Sequence, residues 1–106
     1  MLINLVQNGV EAVDGREDGR VVVRASRADG RWQLTVSDNG PGVTDEMARR
    51  IFEPLYTTKE KGTGLGLAIV SAAVRRHGGA IRVDSSGSGA TFVVEWPDAV
   101  PGQALT

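Results

Sequence analysis

The sequence contains no cysteine. Neither a disulfide framework nor a thiolate metal site can be built from it, and a reducing, cytoplasmic setting is the expected one. It has no apolar run near the roughly 20 residues that a membrane-crossing helix needs, and no charged-then-apolar segment opens it. No direct membrane contact is expected from this segment. Basic residues never run beyond two in succession and the formal net charge is −1, so there is no electrostatic track for a nucleic-acid backbone or an anionic surface. Nucleic acid is not an expected partner. What remains is a chain of 106 residues with 41% hydrophobic content, enough for one domain around one core.

The pattern along that chain changes type in order. Leu2, Leu5, Val6, Gly9 and Val13 recur at helical spacing, predicting an amphipathic helix over residues 2–14 that ends near Asp14-Gly15. "RVVVRAS" and "RWQLTVS" alternate apolar and polar residues around Asp29-Gly30, the signature of an antiparallel hairpin. Trp32, Leu34 and Val36 then share a face. Thr44 with Asp45 and Glu46 caps a short helix that Pro54 stops. "YTTKEKGTGLG" has no apolar period and reads as a mobile loop, with residues from about Tyr56 to Gly64 the least ordered. The helix it feeds carries Leu65, Ala68, Ile69 and Ala72 on one side and ends at His77-Gly78-Gly79. "AIRVDS" and "ATFVVEW" form a last hairpin across "SGSG", and Pro97 onward is expected to fray. Helices with apolar stripes and strands joined as hairpins predict an α+β two-layer sandwich, helices on one face of a mixed, mostly antiparallel sheet.

Three patches could carry chemistry. Asn4, Asn8 and Glu11 lie on one polar helix side, where amide and carboxylate oxygens suit Mg²⁺; a solvated helix face explains them as well. "DNGPG" sets the Asp38 carboxylate at a strand end, with Gly40 and Gly42 permitting close backbone approach. That carboxylate could accept from the exocyclic amine of adenine, and a plain turn would use the same residues. In "GTGLGLAIV", Gly62, Gly64 and Gly66 leave N–H groups free at a helix start, an arrangement that favours phosphate or serves as a hinge. The Walker and Rossmann glycine spacings are absent. So are the protein-kinase H-R-D and D-F-G signatures.

Taken in order, "NLVQNGVEA", "DNGPG", "IFEPLYTTK", "GTGLGLAIV" and "SGSGATFVV" resemble the asparagine, first glycine, phenylalanine, second glycine and last glycine motifs of the catalytic ATP-binding domain of bacterial sensor histidine kinases. That domain has the Bergerat ATP-binding fold, shared with gyrase-type ATPases. The stretch "EPLYTTKEKGTGLGLAIV" is similar to nitrogen- and oxygen-sensing kinases in particular. The resemblance spans nearly the whole chain and implies a role for each motif. Asn8 would ligate Mg²⁺ and Asn4 would stand beside the phosphates of ATP. Asp38 would meet the adenine amine, Gly40 and Gly42 would make room for the base, and Thr91 would sit near it. Lys59 would neutralise phosphate charge, and Gly62, Gly64 and Gly66 would close a lid packed by Phe52. Thr58, Thr63, Leu65 and Leu67 would complete the nucleotide-binding set.

The implied activity is transfer of the ATP γ-phosphoryl group to a histidine on a separate dimerisation domain, and from there to a response regulator receiver domain. The chain alone would then be inactive. Two other readings stay open: a nucleotide-binding regulatory module without turnover, and an ATPase of the same fold. Gyrase-type relatives carry Glu where Asn4 stands, and an amide cannot take a proton at neutral pH, which disfavours hydrolysis. Glu11 occupies a position where many family members have Lys or Arg. His77, the only histidine, reads as a helix cap, unlike the family's phosphoacceptor, which an acid follows on a separate hairpin. The resemblance also implies a strand and a helix start ahead of the first motif. Residues 1–97 are thus expected to form the catalytic domain without that first strand and the start of the first helix, with 98–106 as a tail. Val21, Val23, Trp32 and Val94 would lack cover, and the chain would be marginally stable or would self-associate to cover them. Its setting would be the cytoplasm, free or as the cytoplasmic part of a membrane-bound sensor.

Overall fold

Asp29 and Gly30 both take positive φ, 55° and 74°, which makes the two-residue turn whose twist matches that of paired strands. The computed structural model, which describes residues 2–54, 66–85 and 88–97, builds its sheet outward from this turn. Strand β1 (Val21–Ala28) pairs antiparallel with β2 (Arg31–Asp38), in a register that sets Val23 against Val36 and Val21 against Asp38. After two helices, β3 (Ala80–Ser85) and β4 (Ala90–Pro97) form the second hairpin. The sheet order is β1-β2-β4-β3. The last strand in sequence therefore lies inside, between β2 and β3. All three pairings among the described residues are antiparallel, so the parallel element of the expected mixed sheet is absent from them. Pro97 does not fray: it closes β4 opposite Arg31.

Among the described residues, three helices pack on the sheet. Helix α1 (Leu2–Ala12) lies over β1 and β2, α2 (Asp45–Arg50) reaches β3, and α3 (Gly66–Arg76) packs on α1 and β3. The sheet face toward the helices carries Leu34, Val36, Phe92 and Val94, all buried, which close the core with Leu5, Val70, Val74 and Ala90. Val94 is fully buried in that core, so the expectation that it lacks cover is wrong; Val23 does stay 44% exposed. The result is the α+β two-layer sandwich.

Helix ends follow local chemistry. The Thr44 hydroxyl accepts from the Met47 N–H at 3.1 Å and so caps α2. At the end of α3, Gly78 takes φ +77°, its N–H donates to the Arg75 carbonyl and the Gly79 N–H to the Val74 carbonyl. This double closure is the Schellman motif, with His77 as the residue it passes through. Helix α1 stops at Ala12, slightly earlier than its apolar period suggests, and turns through Gly15 at φ +84°.

The expected inner face of α3 is wrong. The helix buries Val70, Ser71 and Val74 with Leu67 partly covered, while Ile69 is 57% exposed and Ala72 faces outward. Residues 67–74 are almost uniformly apolar, so periodicity cannot choose a side, and the one polar residue, Ser71, sits on the buried side. Leu65 lies outside the described residues. The ring of Phe52 stands edge-on to Phe92 with centroids 6.1 Å apart and packs against the core; the lid it is expected to pack lies outside the described residues.

Candidate functional site

Alternation along β2 puts Leu34, Val36 and Asp38 on the helix side, and Asp38 is the residue at which the strand leaves the sheet. Its carboxylate is used asymmetrically. Oδ1 accepts from the Gly40 N–H at 2.9 Å and faces the Ala90 N–H at 3.4 Å. Oδ2 accepts from no donor among the described residues, and it is not a buried oxygen left without a partner. The first bond is the Asx turn that an Asp at a strand end favours. The second exists because β4 lies beside β2, with Thr91 opposite Ser37 and Ala90 next along.

Glycines wall this corner because side chains would not fit. A Cβ on Gly40 would lie 2.7 Å from the Ala12 carbonyl oxygen at the end of α1. Gly42, at φ +79°, would set one 2.6 Å from the Ser85 Oγ, and Gly89, at φ +128°, would drive one into the Asp38 carbonyl. Gly9 lets α1 descend onto the strand end, where a Cβ would be 3.1 Å from a Val21 methyl and 3.8 Å from the Asp38 Cβ. The turn of α1 that bears half-buried Asn8 thus stands beside Asp38, and half-buried Asn4 lies one helical turn, about 6 Å, further along. Glu11 is exposed on the same helix. Asn39 braces the corner from outside: its amide accepts from the Arg20 N–H and donates to the Asp18 carbonyl, both at 2.7 Å, while the Arg16 guanidinium donates to its carbonyl.

Residues 1–100 match the protein family described as histidine kinase-, DNA gyrase B-, and HSP90-like ATPase. The chain belongs to this family. The C4-dicarboxylate transport sensor protein DctB of Rhizobium meliloti (strain 1021) is 49% identical over 94 residues, covering 89% of this chain and 15% of DctB. The chain therefore spans about 15% of the length of that curated relative. Among solved structures, full-length ShkA in complex with AMPPNP is 43% identical at a TM-score of 0.80, over 91% of this chain and 20% of ShkA. The nucleotide-free catalytic domain of histidine kinase ThkA is 37% identical at a TM-score of 0.82, over 92% and 63%. ThkA in complex with the response regulator protein TrrA matches at 31% identity and a TM-score of 0.78, over 92% and 27%. This chain is an ATP-binding catalytic domain of the sensor histidine kinase type.

Within this sensor-kinase ATPase domain, the sequence-predicted site residues fall into three groups. Asp38, Gly40 and Gly42 converge at one sheet end, with Asn4 and Asn8 on the helix above it. Gly66 opens α3 with nothing among the described residues within 4 Å of a Cβ placed there, and Leu67 packs partly into the core. Thr58, Lys59, Gly62, Thr63, Gly64 and Leu65 lie outside the described residues, as does the segment expected to be least ordered. Thr91 stands apart: it is on the outer sheet face, its hydroxyl 2.9 Å from that of Ser37, and its neighbour Ala90 is the residue that reaches Asp38. Among the described residues no cluster of three or more His, Cys, Asp or Glu could hold a metal ion. An amide oxygen such as that of Asn8 suits an Mg²⁺ whose remaining positions are filled by phosphate oxygens and water, so the donor chemistry fits that ion. No helix among the described residues is long and apolar enough to cross a membrane.

Sequence reasoning missed Ser85, Gly89 and Ala90. "SGSG" signals a turn, and only the β2–β4 pairing reveals that this turn lands on Asp38.

Proposed function

We propose that the chain binds ATP through Asp38 and donates its γ-phosphoryl group to a histidine on a separate dimerisation domain, which passes it to a response regulator receiver domain. The single observation that carries this reading is the Asp38 carboxylate, held at one oxygen by backbone N–H groups and open at the other. An acceptor fixed in that way takes a hydrogen bond from the exocyclic amine of adenine and is repelled by the carbonyl that guanine presents in its place. Gly40 and Gly42 leave room for the flat base beside it.

The remaining roles follow from residue chemistry. Asn8 would hold Mg²⁺, which supplies charge neutralisation on the phosphates when bound. Lys59 adds a point charge for the phosphates, and backbone N–H groups of Gly62, Gly64 and Gly66 at the start of α3 receive phosphate oxygens. Thr58, Thr63, Leu65 and Leu67 complete the lid. Little covalent work falls to the protein, because phosphoryl transfer is driven by positioning and electrostatics. Asn4 cannot accept a proton from water at neutral pH, which favours transfer over hydrolysis.

Titration with Mg-ATP and Mg-GTP, followed by addition of a histidine-bearing helical domain and γ-labelled ATP, tests this reading. ATP binds and GTP does not, no label or phosphate release appears with the chain alone, and acid-labile label appears on the added domain. Binding without transfer to that domain would make the chain a regulatory module, and phosphate release by the chain alone would make it an ATPase. His77 stays unlabelled, since the Schellman closure ties it into the end of α3, about 16 Å along the helix from Gly66.

A further inference from the structure

The two hydrogen-bonding ends of one peptide plane serve different masters at the nucleotide corner. The plane joins Gly89 to Ala90: its N–H, on Ala90, points at Asp38 Oδ1 at 3.4 Å, and its C=O, on Gly89, accepts from the Ser85 hydroxyl at 3.1 Å. The Ser85 oxygen in turn accepts from the Val43 N–H at 3.1 Å, so the hydroxyl uses its hydrogen and a lone pair at once. Ser85 closes β3 directly opposite Ala90. One side chain thus bridges the turn that follows Asp38 to the connection that precedes β4.

We infer that Ser85 is a positioning residue for base recognition: by gripping the Gly89 carbonyl it fixes the rotation of the Gly89–Ala90 peptide plane, and so keeps the Ala90 N–H on Asp38 Oδ1 and Oδ2 turned to the base. This rests on the proposed reading of Asp38 as the residue that meets adenine. The plane needs a grip because Gly89 sits at φ +128°, a region only glycine enters freely, and glycine leaves the plane easy to rotate. A side chain cannot replace the glycine, since a Cβ there would strike the Asp38 carbonyl. Rotation of a rigid plane moves both ends together. Without the clasp, the Gly89 carbonyl can swing toward the carboxylate, where two acceptors repel, and Asp38 loses the donor that orients it. At 3.4 Å the Ala90 bond is longer than the usual range for N–H···O contacts, so small rotations decide whether it forms.

Binding of ADP and of the 5′-diphosphate of purine riboside, which lacks the 6-amino group, measured by calorimetry on the full chain, separates the possibilities. The unaltered chain prefers ADP. Ser85→Ala lowers that preference by roughly three- to tenfold, the worth of one oriented hydrogen bond, mainly through weaker ADP binding, and Ser85→Thr restores it. If Ser85→Ala weakens both ligands equally, or leaves the preference intact, Ser85 is only structural and the inference is overturned. If the unaltered chain binds both ligands equally, the reading of Asp38 itself fails. Should Ser85→Ala not fold, the Ala90 amide of the unaltered chain decides: ADP binding slows its hydrogen exchange if the clasp orients the carboxylate, and unchanged exchange overturns the inference.

Discussion

The two faces of the sheet treat their carboxylates in opposite ways. On the outer face, Glu95 takes a hydrogen bond from Arg82 at 2.9 Å and one from Gln33 at 3.2 Å, with Arg31 at 4.0 Å, and Arg82 also pairs with Asp84 at 3.4 Å. Long side chains surround it, and those from Arg82 and then Gln33 hold its carboxyl below the ordinary carboxylate value. On the helix side, Asp38 is approached among the described residues only by backbone N–H groups, on one oxygen. A carboxylate ringed by long side chains stabilises a surface. A carboxylate half-satisfied by backbone is, on the proposed reading, the one left for a ligand.

The sharpest way to break this contrast is to fill the backbone corner. Gly40→Val sets a side chain against the Ala12 carbonyl, which cannot move without shifting α1, and a loss of about 3 kcal/mol of stability is expected, read by chemical denaturation, together with loss of ADP binding. Unaltered stability would show that the corner is looser than its glycines imply. Next in size is Asp38→Asn, which keeps the shape and replaces an acceptor with a donor. ADP affinity falls by about 1–3 kcal/mol in calorimetry while the unfolding midpoint changes little, and unchanged affinity would remove Asp38 from the site.

Thr91→Ala sharpens the comparison from the outer face. Losing the partner of the Ser37 hydroxyl costs about 1 kcal/mol of stability and leaves ADP affinity as it was; a drop in affinity would mean that Thr91 does meet the base. The smallest effect belongs to Glu95→Gln. Glu95 has a lowered folded value, so its contribution is fully present above the ordinary value of 4.5 and disappears as pH falls through the lowered one. The substitution flattens the acid limb of the melting temperature against pH, and added salt shrinks the difference because the group is 31% exposed. An acid limb identical to that of the unaltered chain would assign the acid sensitivity elsewhere.

Elements with a local code were legible in the sequence. Asp29-Gly30 forces one turn, Thr44 caps one helix and Gly78-Gly79 close another, so strands and helices fall where their patterns put them. The inner face of α3 was not legible, because a run from Leu67 to Val74 with a single polar residue offers no period, and tertiary packing chose the side that holds Ser71. In the corner, Asp38, Gly40 and Gly42 were readable as a turn that keeps an acid. Ser85 and Ala90 were not, since their roles depend on β4 lying beside β2, a contact across some fifty positions that no local pattern encodes. Thr91 shows the same limit: motif resemblance set it near the base, whereas strand alternation turns its hydroxyl to the other face.

The sheet order also governs when the site can exist. During synthesis, β2 and β3 emerge before the strand that separates them, and each presents an unpaired edge until β4 inserts. Asp38 is made early, yet its second backbone donor, Ala90, and the glycine that lets that donor approach are made with β4. A nascent chain stopped short of residue 90 has the acid and most of the glycine walls but lacks the Ala90 donor that helps hold the carboxylate. On the proposed reading of Asp38, nucleotide would therefore meet the finished corner only after the most non-local pairing of the domain has formed, and its binding would report completion of the fold.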